Sequence, residues 1–164
     1  MLTGQISAPG QILLSNIDIP EPGPKDILIK VRRAGICGTD IHILHGSYPA
    51  QYPLIPGHEF SGTIEMVGTS VTRFQPGDRV TADPNIACNR CENCQKNQIN
   101  QCLNWQGIGI TRAGGFADYV IAPEGNVYPI GSISFEEGAF IEPLACVIWG
   151  IQTIRPTIGD RTLI

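Results

Sequence analysis

Gly57-His58-Glu59-Phe60-Ser61-Gly62 opens a run, 59–67, that reads as a β-strand, and it sets an imidazole and a carboxylate at the start of that strand. The two glycines permit close approach of neighbouring backbone there. Upstream, Cys37 sits in Ala34-Gly35-Ile36-Cys37-Gly38-Thr39-Asp40-Ile41-His42, just after a strong strand pattern from Asp26 to Ile36. A thiolate, an imidazole and a carboxylate make three mixed ligands and leave the fourth position of a tetrahedral zinc ion open, as catalytic rather than structural sites do. Taken alone, each residue has an ordinary explanation: a buried cysteine as core, a histidine as a satisfied polar group, a glutamate as a solvated strand residue. Their weight comes from the combination.

Downstream lies a second set, Cys88-x2-Cys91-x2-Cys94-x7-Cys102. Thiolates this close can wrap one soft cation, with the fourth completing a tetrahedron. Cysteines two residues apart are awkward to bridge to each other, so disulfides fit poorly. The spacing of seven also departs from the three that ends the ferredoxin pattern. The residues between them are nearly all polar, which describes an exposed lobe, about 86–104, held by structural Zn²⁺ rather than by a core.

With 164 residues the chain can hold one ordinary domain with a real core. Its 19 glycines and 13 prolines suit a turn-rich, mainly β fold with short helices better than a helix bundle. A formal charge of −4 argues against nucleic acid or an anionic membrane as partner. No stretch approaches the roughly 18–20 apolar residues needed to cross a bilayer. Six cysteines, a multi-thiolate site and no leader-like start at Met1-Leu2-Thr3-Gly4 suggest a reducing, cytoplasmic compartment.

Further strands are expected at 1–7, 11–18, 78–82, 116–122 and 126–130. Thr39 or Asp40 is expected to cap a short helix ending near Gly46. Ser134-Phe135-Glu136-Glu137 has the capping-box pattern of a helix start. Pro143 should end that helix and sit in the first turn of the next, whose apolar face is Leu144, Val147, Ile148, Ile151 and Ile154. Pro156 should close it. Gly159-Asp160-Arg161-Thr162-Leu163-Ile164 then reads as a turn entering a buried strand, so that the sequence reads as a fragment.

Gly57-His58-Glu59-x2-Gly62-x5-Gly68-x2-Val71 resembles the zinc signature of the medium-chain, zinc-dependent alcohol dehydrogenases. Cys37-Gly38-Thr39-Asp40-x-His42, the four-cysteine lobe, Gly77-Asp78-Arg79-Val80 and Gly115-Phe116-Ala117-Asp118-Tyr119 follow in that family's order and spacing. The resemblance implies a GroES-like, partly open β-barrel over 1–150, with 151–164 leading into a Rossmann domain. It also implies two zinc ions per chain and NAD or NADP as hydride acceptor in a homo-oligomeric full-length enzyme. Carried over, Cys37 and His58 are catalytic zinc ligands, and Glu59 binds zinc directly or stands just behind its ligands. Thr39 meets the reacting hydroxyl, His42 is an outer proton relay, and Cys88, Cys91, Cys94 and Cys102 hold structural zinc. Glu142, in Glu142-Pro143-Leu144, stands where other alcohol dehydrogenases place a cysteine ligand. That is similar to the polyol and sorbitol dehydrogenase branch, with threonine dehydrogenase also similar. Cys146, in an apolar run, is expected to pack in the core.

No Gly-x-Gly-x-x-Gly follows a strand in 1–164, so neither a dinucleotide loop nor the choice of NAD or NADP is readable. The expected activity is oxidation of a secondary alcohol of a polyol, sugar or similar small molecule, with residues 1–164 alone inactive. The alternatives are a threonine-type dehydrogenase, a lyase or reductase relative, and a non-catalytic zinc-stabilised binding module.

Overall fold

The computed structural model describes residues 1–159 and 161. Strands β1 (Leu2–Ala8) and β2 (Gln11–Asn16) form an antiparallel hairpin across Pro9-Gly10. Then follow β3 (Asp26–Gly35), α1 (Gly38–Leu44), β4 (Glu59–Val67), β5 (Arg79–Ala82), β6 (Asn85–Ile86), α2 (Glu92–Gln95), β7 (Gln106–Gly107), β8 (Tyr119–Pro123), β9 (Val127–Pro129), α3 (Phe135–Ala139) and α4 (Ile141–Ile154).

The main sheet has the order β8-β3-β4-β5-β9 and is antiparallel throughout. Ile27 and Ile29, two apart on β3, point to one face. There they join Phe60 and Ile64 of β4, Val80 of β5, Val120 of β8 and Val127 of β9 in one buried core. Each such side chain contributes about 1.5–3 kcal/mol when fully buried. The hairpin closes part of the barrel through backbone bonds. Ile6 and Leu54 exchange N–H···O bonds of 2.8 and 2.9 Å, and the Gly4 N–H donates to the Phe116 carbonyl at 2.7 Å. A smaller cluster, Ile6, Ile43 and Leu54, seats α1 against this seam. The result is the mainly β, GroES-like barrel that the sequence predicts.

The local differences have physical reasons. Cys37, in extended conformation, is the N-cap of α1, and Asp40 is its third residue, turning back to accept the Cys37 N–H at 2.9 Å. A carboxylate can satisfy the open helix N-terminus from inside the first turn, so neither Thr39 nor Asp40 has to stand at the cap. The strand expected at 116–122 begins at Tyr119, because Phe116 and Asp118 bond to the hairpin instead. The two-residue ladder of β6 with β7 carries no periodic signal and is absent from the sequence reading. The first C-terminal helix stops at Ala139, before Pro143, which lies inside the first turn of α4, where a missing N–H costs nothing. The strand expected at Thr162-Leu163-Ile164 lies outside the described residues.

Helix α3 starts as predicted. The Ser134 N–H donates to Glu137 Oε2 at 2.7 Å and the Glu137 N–H to Ser134 Oγ at 3.1 Å. Its position is fixed by the Ser61 hydroxyl donating to the Phe135 carbonyl and by the Arg79 guanidinium 4.5 Å over the Phe135 ring. Ser134→Ala should lower stability by about 1 kcal/mol, read as a small fall in melting temperature. Helix α4 runs unbroken across position 150 and ends at Arg155 in left-handed conformation, just before Pro156. Its apolar face, including Val147, Ile148, Ile151 and Ile154, is exposed. Cys146 is exposed as well, contrary to the core role expected for it, because α4 buries no residue along its length. No helix among the described residues is long and apolar enough to cross a membrane.

Candidate active site and four-thiol lobe

The extended turn after β3 delivers Cys37, and the start of β4 delivers His58 and Glu59. One potential ligand atom from each of the three lies within 4.8 Å of the other two. Two glycines make this approach feasible. Gly57 has φ +94°, a conformation side chains resist, and a Cβ there would strike the Phe116 ring. A Cβ on Gly35 would strike the Glu59 carboxylate.

Asp40, which the sequence reading treats only as a helix cap, ties the pieces together. It is 4 % exposed. Its Oδ2 accepts the Cys37 N–H and its Oδ1 accepts the Gly57 N–H at 3.2 Å. The same Oδ1 stands 3.6 Å from Nδ1 of His58, a buried nitrogen that has no hydrogen bond. A small ring movement would turn an Nδ1 proton onto that carboxylate and leave Nε2 for a cation, the usual arrangement behind metal-bound histidine. The thiolate, imidazole and carboxylate donor set, with its orphaned buried imidazole nitrogen, fits a zinc ion with an open position.

These residues border a cleft of about 340 Å³ that also reaches Thr39, Asn85, Ile110, Glu142 and Cys146. Thr39 Oγ1 is 3.7 Å from Cys37 Sγ. Glu142 enters from α4 and lines the cleft without joining the three close ligand atoms. Burial pushes its carboxyl above the usual range; His58 opposes the shift, while Glu59 and Asp83 add to it. His42 is not brought into the cleft. It lies exposed one turn along α1, with Nδ1 3.2 Å from Ser47 Oγ. A larger hollow of about 520 Å³, beside Trp149, Gln152, Thr153 and Arg155, offers no metal-ligating group.

In the lobe, the Sγ atoms of Cys88, Cys91, Cys94 and Cys102 lie within 4.8 Å of one another. No residue from 85 to 106 is buried, so the lobe has no core of its own. Asn89, at φ 55°, makes the turn that aims backbone N–H groups at the first thiol. The Arg90 N–H, chiefly, holds the Cys88 thiol down to about 6, helped by the Cys91 N–H. The Cys94 and Leu103 N–H groups lower Cys91. Burial and the shared thiol hydrogen bonds push Cys94 up to about 12. Four sulfurs this close do not all ionise without a cation among them, and a bound metal displaces the remaining protons.

The alcohol dehydrogenase GroES-like domain family matches residues 23–132, a span that holds both clusters. The chain belongs to that family. D-altritol 5-dehydrogenase of Agrobacterium fabrum is 37 % identical over 145 residues, which are 88 % of this chain and 43 % of that protein. L-threonine 3-dehydrogenase of Rhizobium johnstonii is 42 % identical over 135 residues, 79 % of this chain and 39 % of that protein. A crystal structure described as a zinc-binding dehydrogenase from Sinorhizobium meliloti 1021, bound to NADP, superposes with a TM-score of 0.89 at 45 % identity. The match covers 93 % of this chain and 45 % of that one. The alcohol dehydrogenase GroES-like domain therefore accounts for most of the chain, which spans about two fifths of the length of its curated relatives.

Proposed function

We propose that this chain is the zinc-holding catalytic part of a nicotinamide-dependent dehydrogenase that oxidises a secondary alcohol of a polyol or sugar to a ketone. The observation that carries the reading is the convergence of Cys37, His58 and Glu59 on one open cleft beside the Thr39 hydroxyl. In this reading residues 1–150 are the catalytic domain and 151–164 lead toward a Rossmann domain that binds NAD or NADP. The enzyme works in the cytoplasm as a homo-oligomer. Cys88, Cys91, Cys94 and Cys102 hold a second, structural zinc.

Zinc held by Cys37, His58 and Glu59, with Glu142 at hand, would supply a Lewis acid that polarises the alcohol oxygen. Thr39 accepts the proton of the substrate hydroxyl and hands it outward. His42 on the exposed side of α1 is the later station, because a solvent-facing imidazole can both take and give a proton. Asp40 keeps Cys37 and His58 in register while this happens. The altritol-active relative favours a polyol. The threonine-active relative favours a second reading, a hydroxy amino acid as substrate.

Oxidation of D-altritol, L-threonine and 2-butanol by the zinc-loaded full-length enzyme, its Rossmann domain included, followed as NAD(P)H formation, separates these readings. No turnover of any alcohol would overturn both. In the same assay Glu142→Ala should lower kcat/KM about 10–100-fold. Cys146→Ala, on the same cleft, should matter far less. The reverse order would make Cys146 the cleft's ligand in place of Glu142.

A further inference from the structure

Asn85 lines the cleft, and none of the chemistry above uses it. Although exposed, it is held at every polar atom. Its backbone N–H and its Nδ2 both donate to Asp83 Oδ1, at 2.8 and 3.1 Å. Its carbonyl accepts Asn126 Nδ2 at 2.9 Å. Its Oδ1 accepts the indole N–H of Trp105 at 3.1 Å. An indole nitrogen only donates, so the carboxamide has one orientation: oxygen toward Trp105, nitrogen toward Asp83. That leaves the second Nδ2 hydrogen of this cleft-lining residue with no protein acceptor among the described residues. Trp105 is itself braced, its ring lying where a Cβ on Gly107 would be, next to the four-thiol lobe. A surface asparagine ordinarily turns freely in water; this one is a fixed donor.

Resting on the dehydrogenase reading, we infer that Asn85 is a specificity-determining residue, donating a hydrogen bond to a second hydroxyl oxygen of a polyol substrate. Trp105 is the positioning residue that ties this donor to the lobe. A hydroxyl neighbouring the reacting carbon can accept such a bond. An ammonium in that neighbouring place, as on C2 of a 3-hydroxy amino acid, cannot. The juxtaposition thus favours polyols over amino acids and over simple secondary alcohols.

The test compares kcat/KM for D-altritol, 2-butanol and L-threonine in the intact zinc-loaded enzyme. Asn85→Ala should lower the altritol-to-butanol ratio about tenfold, mostly through KM, as expected when one neutral hydrogen bond is lost. Trp105→Phe keeps the ring but not the N–H, and should lower the same ratio by a smaller factor. Because it is the milder change, it keeps the inference testable if Asn85→Ala misfolds. Equal losses on altritol and butanol in both variants would overturn the inference and leave the dehydrogenase reading standing. A wild-type preference for threonine, weakened by Asn85→Ala, would overturn the hydroxyl as its acceptor. Absence of turnover in the wild-type enzyme would overturn both.

Discussion

Cys102→Ser should release the lobe. No residue from 85 to 106 is fully buried, and Ile86, at one end, packs partly buried on the barrel core, so little apolar contact holds the thiol-bearing stretch once the metal is lost. A structural zinc in a small module supplies on the order of 10–16 kcal/mol of apparent binding free energy at neutral pH, and a hydroxyl is a poor substitute for a thiolate ligand. The substitution also removes the sulfur that accepts the Cys88 N–H at 3.2 Å. Limited proteolysis of the zinc-loaded variant should show new cleavage within about 86–104. The barrel should survive, because its core of Ile27, Ile29, Phe60, Ile64, Val80 and Val120 lies entirely outside the lobe. A strong chelator applied to the wild-type protein should reproduce the same cleavage pattern. Unchanged protease resistance in the variant would remove the four thiols as the lobe's anchor.

Asp40→Ala should weaken zinc binding at the mixed site by about 10–100-fold while leaving the lobe's zinc in place. Its two carboxylate oxygens hold the backbone on either side of the site, at Cys37 and at Gly57, and one of them faces the His58 ring. Alanine leaves two N–H groups without acceptors, each costing about 1–3 kcal/mol where buried. Asp40→Asn is the finer test. An asparagine has one oxygen, so it cannot accept at both positions, and it brings an NH₂ where the protein needs an acceptor. Competition with a zinc chelator, scored separately for tight and weak zinc, distinguishes the two sites. If both variants hold the weaker zinc as wild type does, Asp40 is only a helix cap.

Much of this protein is legible along the chain. β1, β2, β3, β4 and the start of α3 follow from apolar alternation, turn residues and a capping box, because these signals are local and each element answers to its own sequence. The four thiols are equally readable, since their spacing marks a set that one metal ion can gather. The pairing of Cys37 with His58 and Glu59 is different. It joins residues about twenty apart, so ligand chemistry and the family motif could suggest it, but what brings them together is the antiparallel pairing of β3 and β4, Gly35 opposite Glu59. Tertiary structure alone decided the rest. Asp40 becomes a brace for two ligands because α1 packs its first turn against the start of β4. Cys146 turns toward the cleft rather than the core because α4 lies on the barrel's surface, and an apolar pattern states which face seeks cover but not whether cover is present. Asn85 looks like any surface asparagine until the β6–β7 ladder sets Trp105 beside it. Sequence specifies what each residue can offer; the crossing of distant segments determines which offers meet.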